Sequence, residues 1–194
     1  VNLGFSNTKK SDFNYRLGAG FSHLWNKLKA AETDVSVDFK SALTLNEKSA
    51  LQLNAQYSIL AREDIKVEPA PRHLFKSDLL FAFNPIENLN LEAGLRVAFE
   101  NDTLVKKDAH VFPVVQAVYQ IAPKVTARAA LSGDVEKNSL HTLSAENLWI
   151  NSNLPLAHNL NTLDVEGSVR AGFGGGFSAT GGFDFSNYAN LYFY

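Results

Sequence analysis

The chain contains no cysteine. Disulfide frameworks, thiolate metal sites and cysteine nucleophiles are excluded together by that absence. It contains no methionine either, so Val1 does not read as a native start; a signal peptide, a preceding domain or both are expected before it. Charge of one sign is not in excess, the formal net charge being -2 and the isoelectric point about 6.2. No global basic field is present to recruit nucleic acid. Long apolar runs are missing too. The densest, Val111-Phe112-Pro113-Val114-Val115, falls far short of the roughly 18 residues that a membrane-crossing helix needs. Mean hydropathy is -0.12, a value that a β-barrel with a polar lumen shares with a water-soluble domain, because half of each strand faces water.

What the chain does have is a two-residue rhythm. In residues 34–45, Val35, Val37, Phe39, Leu43 and Leu45 alternate with Asp34, Ser36, Asp38, Lys40 and Thr44. Successive side chains of a strand point to opposite faces, so this period predicts β-structure. The same alternation runs through 13–23, 50–61, 74–83, 88–99, 110–121, 124–135, 162–173 and 176–186, with partial strands at 1–5 and 190–194. Leu89, Leu91, Ala93, Leu95, Val97 and Phe99 illustrate one apolar face; Asn90, Glu92 and Arg96 illustrate the polar one. No helical period is available to cover the sheet, so its apolar face must meet a second sheet or a lipid bilayer.

Connections alternate in length. Asn46-Glu47-Lys48-Ser49, Asn84-Pro85-Ile86-Glu87, Ala122-Pro123-Lys124 and Gly174-Gly175-Gly176 are short and rich in turn residues. Between them lie 62–73, 100–109 and 136–160. Short turns on one rim and long loops on the other is the asymmetry of outer-membrane barrels, and strands of about 10–12 residues suit a tilted membrane crossing. Aromatics near strand ends (Phe75, Phe83, Phe99, Tyr119, Phe185, Tyr188) fit interfacial girdles. A soluble sandwich, with the same aromatics in its core, is the alternative. The favoured fold is all-β: a single domain over 1–194 forming a transmembrane antiparallel up-and-down β-barrel of about 8–12 strands, complete or part of a larger one.

The polar face supplies lumen-lining candidates of both signs: Arg16, Lys40, Lys76, Arg96, Arg128 and Arg170 against Asp38, Asp78, Glu92, Asp164 and Glu166. In a pore these would set selectivity. In a closed lumen they would neutralise one another in ion pairs, and about eight strands leave only a side-chain-filled interior. The loop 136–160 carries Leu140, Leu143, Leu148, Trp149, Ile150, Leu154 and Leu156, unusually apolar for a loop. Either it folds over the mouth and packs on itself, or Leu140, Leu143, Leu148, Trp149 and Leu154 form a partner-docking surface.

From residue 110 onward the chain resembles a family. Phe112-Pro113-Val114-Val115-Gln116-Ala117-Val118-Tyr119-Gln120, the Ala122-Pro123-Lys124 turn, Val125-Thr126-Ala127-Arg128-Ala129-Ala130 and Gly133 carry the first part of the pattern. Asn138-Ser139-Leu140, Leu143-Ser144-Ala145-Glu146-Asn147 and the closing Phe185-Ser186-Asn187-Tyr188-Ala189-Asn190-Leu191-Tyr192-Phe193-Tyr194 carry the rest. Residues 110–194 are similar to the barrel region of TonB-dependent-receptor-like outer-membrane proteins of Bacteroidota. The resemblance implies a porin-like barrel in the bacterial outer membrane and no catalytic residues. No plug-domain or TonB-box pattern accompanies it.

The chemistry-bearing residues give no strong motif. His23, His73, His110, His141 and His158 show no HxH or HxxxH spacing, so no metal or other cofactor is signalled, and they are expected at the surface or rim. Ser139, His141, Ser144 and Glu146 cluster in the longest loop but lack the G-x-S-x-G elbow of a nucleophile, which leaves a barrel-embedded hydrolase as a minor alternative. Gly172 to Gly176, with Gly181 and Gly182, lack the following helix of a phosphate loop and read as a tight hairpin. The expected function is therefore non-enzymatic: an accessory or structural subunit of an outer-membrane assembly. Its partners would be outer-membrane lipid and other outer-membrane subunits. A channel or transporter for small solutes is the alternative.

Overall fold

The computed structural model describes residues 1–194 except 10, 28, 66–69, 103–107, 148, 151–152 and 192–194. The predicted strands form: β1 (Asn2–Ser6), β2 (Phe13–Trp25), β3 (Ala31–Asn46), β4 (Ser49–Glu63), β5 (Arg72–Ile86), β6 (Leu89–Glu100), β7 (Ala109–Ala122), β8 (Val125–Glu136), β9 (Asn159–Gly174) and β10 (Phe177–Ala189). They make one antiparallel sheet in sequential order, β1 through β10. Among the described residues there is no second sheet. Of the proposed segment 190–194, Asn190 and Leu191 lie outside any strand and the remainder lies outside the described residues. One short helix, α1 (Leu140–Glu146), interrupts the loop that the alternation had left without structure.

Register explains which side each residue takes. In every long ladder, odd positions pair with odd positions: Leu17↔Phe39, Val35↔Ile59, Leu51↔Phe81, Leu79↔Leu95, Ala93↔Val115, Ala117↔Ala129, Leu131↔Val165 and Val165↔Phe185. One parity therefore faces one side all the way round. Within the strands, every exposed large apolar side chain except Ile86 stands at an odd position. Ile86 follows a register shift after Phe83. Two-residue turns preserve this parity; at Gly175 and Gly176, φ values of 60° and 83° need glycine.

The sheet is bent round on itself. At about 4.8 Å per strand, β8 lies roughly 14 Å from β5 across a flat sheet. Yet Lys76 Nζ on β5 is 2.9 Å from Asp134 Oδ2 on β8. Even positions thus line a concave face and odd positions a convex one, up to the register shift between Ser132 and Asp134, beyond which odd Val135 joins the concave core. The ladders run from β1 to β10 without a described β1–β10 pairing, so those two strands are the edges.

One interior irregularity has an identifiable cause. Gln120 N–H donates to Asn88 on the β6 side, so alternation aims the odd positions of β7 toward β8. Pro113 is odd and has no N–H to donate. The β7–β8 ladder ends at Val115↔Leu131, and β8 shifts register between Ser132 and Asp134. Phe112 fills the space this opens. A Cβ on Gly133 would come within 2.4 Å of the Phe112 ring. Gly133→Ala should therefore cost about 1–3 kcal/mol by overpacking in chemical denaturation. Most of that cost should vanish in a Phe112→Val background; an equal cost in both backgrounds would break the assigned coupling.

Candidate functional site: the charge-lined concave face and its strap

The lower half of the concave face is built from period-two polar residues. Register places Asp78 directly opposite Arg96. Arg96 Nε donates to Asp78 Oδ1 at 2.7 Å and Nη2 to Oδ2 at 3.0 Å, a bidentate pair. Nη1 of the same guanidinium donates to the carbonyl oxygen of Gly133 at 3.2 Å and stands 3.5 Å from Asp134. Arg96 thereby supplies a donor to a carbonyl at the β8 irregularity that Pro113 creates on β7. Lys76 closes the cluster on Asp134. Two cations and two carboxylates cancel. Beside them lies a cavity of about 200 Å³ lined by Asp38, Lys40, Asn54, Gln56, Lys76, Asp78 and Arg96.

The upper half is filled rather than lined. Even positions there turn apolar. Leu74, Ala98 and Phe112 form a buried cluster with Val135, against which Leu160 packs. Over this half run the described residues of 137–158, here called the strap, which include α1. Leu140 and Leu143 lie on one face of α1 and are buried with Ala30 and Leu156; Leu24, Ile150 and Leu154 pack against them. Ser139 caps α1, its Oγ accepting the Thr142 N–H at 3.0 Å.

Charged side chains of the wall hold the strap, mostly by its backbone. Glu32 on β3 accepts the N–H groups of Leu140 and His141, each at 3.0 Å, which neutralises two otherwise unpaired donors at the helix start. Arg62 donates to the Leu154 carbonyl at 2.6 Å. Asp64 accepts the Asn153 N–H at 2.7 Å. Arg72 donates to the Asn138 carbonyl at 2.7 Å. Asp102 accepts the His158 N–H. On the strap's part, the Lys137 side chain pairs with Asp34 and the Asn138 Nδ2 donates to Asn159 Oδ1 on β9 at 3.2 Å. Burial pushes the Asp64 carboxyl up, but the Asn153 N–H, the Arg62 guanidinium and the Ile65 N–H outweigh it and hold the group below the usual carboxylate range. His158 is fully buried, and its Nδ1 accepts the Asn138 N–H at 3.1 Å. Burial first, then Arg72, Lys137 and Lys76, push the imidazole down to about 4, against an opposing pull from Asp102.

The predicted lumen residues fall on the concave face but do not form one site. Lys76, Asp78 and Arg96 meet; Asp38 and Lys40 border their cavity. Glu92 accepts from Gln52 at 3.3 Å. Arg128 stands 3.8 Å from Glu166 and donates to Gln116. Asp164 accepts from Ser186, and Arg170 sits opposite Thr126 and Thr180. Arg16, on β2, lies over Gly4 of β1. Of the proposed docking residues, Leu140 and Leu143 face inward and are buried, Leu154 packs beside them, and Leu148 lies outside the described residues. Trp149 alone among the rest is strongly exposed, at 93%. The exposed or rim position expected of the histidines fails for His158, because the strap carries it beneath the mouth.

Ser139, His141, Ser144 and Glu146 all sit on α1 or its cap. Ser139 Oγ is engaged by Thr142, and among the described residues no serine hydroxyl is hydrogen-bonded to His141. Among the described residues no three His, Asp or Glu side chains converge as metal ligands. Asp134, Glu32, Arg62, Asp64, Arg72 and Asp102 were missed as functional positions; most stand near strand ends or in loops, where periodicity carries no instruction.

Arg96→Gln should destabilise the fold by about 3 kcal/mol, since it strands Asp78 and the Gly133 carbonyl in a poorly solvated site. Adding Asp78→Asn should cost less than the two single changes summed, in a denaturation cycle. Comparison with known proteins adds no identity: no family model, curated protein or solved structure matches the chain.

Proposed function

We propose that this chain is a transmembrane β-barrel of the bacterial outer membrane with an occluded lumen, serving as a non-enzymatic accessory or structural subunit. One observation carries the reading. The convex face exposes an apolar belt that continues from Leu3 and Phe5 on β1 to Phe183 and Phe185 on β10. Water-soluble monomers rarely expose contiguous apolar patches beyond a few hundred Å². A bilayer covers such a belt, and the polar concave face becomes the lumen. Upper-rim pairs such as His23 with Trp25 and Tyr57 with His73 suit an interface, where one end of a ring is apolar and the other wet.

Two features support closure of the sheet by β1 and β10. An even number of alternating strands makes the two edges antiparallel, as barrel neighbours must be. Both edges keep the apolar-out, polar-in alternation. The resemblance of residues 110–194 to TonB-dependent-receptor-like barrels belongs to this proposal. The strap across the mouth and the neutralised clasp favour a closed lumen over an open pore. A porin-like channel for small solutes is the second reading, favoured by the polar cavity below the strap.

The test is heat-modifiability. Folded into detergent, the chain should migrate differently boiled and unboiled. A folded, soluble chain in plain buffer would overturn the membrane reading. Leu95→Arg, on the convex face, should reduce folded insertion into vesicles by about 2–4 kcal/mol near the midplane, and near-normal insertion would count against it.

A further inference from the structure

The strap and the wall are held by different kinds of interaction. The wall is a backbone ladder with an apolar outer face, and neither titrates. The strap hangs on six ionised wall side chains and one buried imidazole. That difference separates their responses to acid.

His158 is the vulnerable point. It is fully buried, between the strap residue Asn138 and the wall carboxylate Asp102. Its Nδ1 already accepts a backbone N–H, so this nitrogen can take a proton only by breaking the bond to Asn138. Its Nε2 has no hydrogen-bond partner, and Asp102 Oδ2 is 4.0 Å away. The charged groups facing it are Asp102 from the 101–108 connection, Arg72 and Lys76 from β5, and Lys137 from the strap. Glu100 and its partner His110 stand behind Asp102. Three cations against one adjacent carboxylate make an imidazolium unwelcome. Asn138 joins the two latches: its N–H goes to His158 and its carbonyl to Arg72.

We propose that the strap 137–158 is an acid-released gate, in which protonation of His158 frees the Asn138 end and undocks the strap while the strand wall stays folded. It rests on the barrel reading above. A docked imidazole with its pKa near 4, against about 6.5 when released, favours the neutral form in the docked state. Docking is therefore at full strength above about pH 6.5 and weakens as pH falls toward 4, by about a hundredfold across that window. Asp64, held below the usual carboxylate range, keeps its latch through the same window.

The lack of cysteine permits a clean test. Asp34 and Lys137 pair through the tips of their side chains, so Asp34→Cys with Lys137→Cys places two thiols that a bis-methanethiosulfonate bridge of the length of that pair can join into one reductant-cleavable lock in an otherwise thiol-free chain. The unmodified chain, shown first to be heat-modifiable in detergent, is placed in planar lipid bilayers at pH 7 and pH 4.5. Acid should raise conductance at least tenfold and reversibly. The bridged double-cysteine chain should stay closed at pH 4.5, and reductant should restore opening. His158→Gln, which keeps an acceptor but does not titrate, should shift the opening midpoint by at least one pH unit toward acid. Hydrogen exchange on the same detergent-folded chain reads docking without a pore: corrected for intrinsic rates, amides 138–147 should lose protection at pH 4.5 while those of β3 to β6 keep it. Equal protection of the strap at both pH values, or acid opening that survives the bridged lock, overturns the gate. Failure of heat-modifiability instead overturns the barrel reading on which it stands.

Discussion

Everything in this molecule depends on register parity. A strand slipped by one residue would carry its whole apolar set from the convex face to the concave one. The chain avoids this with turns of two residues and with pairings that join odd to odd from β2 through β10. Most register shifts fall near strand ends, between Thr44 and Asn46, Phe83 and Ile86, or Gln120 and Ala122, where they misplace only a residue or two. The deep exception, between Ser132 and Asp134, sits where Pro113 withholds a donor, and Arg96 and Phe112 occupy the space left behind.

The strap obeys a different logic. Its attachments are charged groups of the wall reaching for amides and carbonyls of the strap. Such contacts read the path of the chain and are nearly blind to its side chains. Apolar packing by Leu140, Leu143 and Leu156 then sets how deep the strap sits. Glu32 is the pivotal latch. It enters a buried site only because two N–H groups at the start of α1 receive its carboxylate, and those donors are unpaired only because a helix begins there.

This division explains what was legible in the sequence. Strand existence, parity, the short turns and the charged concave face were all visible, because a half-buried strand writes its environment in every second letter. The sequential strands follow from that pattern, whereas the pairing of Asp78 with Arg96 needed the register, since the sequence offered only a set of inward charges of both signs. The helix was not visible: seven residues with Leu140 and Leu143 as their only buried positions give too few turns for a 3.6 period to stand out, although Ser139 with Thr142 is a capping signal. The closure proposed for β1 with β10 has no local signature. The strap's depth did leave a trace. Leu24, Leu60, Leu74, Phe112 and Leu160 are large apolar residues at even positions, on the face that is polar elsewhere. Read together, they mark the part of the concave face that something apolar must cover.

That trace ties strand number to the strap. About eight strands close round a space that wall side chains alone can fill. A ten-stranded wall closed as proposed would enclose more, and its interior would have to be packed, wetted or closed by added chain. Here both ways of filling are present at different heights. Below, the long side chains of Lys76 and Arg96 span the interior to Asp134 in a neutral cluster beside a small cavity. Above, the wall turns apolar in two places: Leu74, Ala98, Phe112 and Val135 pack on one another, and the strap brings Leu140, Leu143 and Leu156 to meet Leu24 and Ala30. Removing the strap would expose that apolar face and strip partners from Glu32, Asp34 and Asp102 at once. A wall of this width with this pattern of even-numbered residues is incomplete without inserted chain, and the strap is as much a part of its core as any strand.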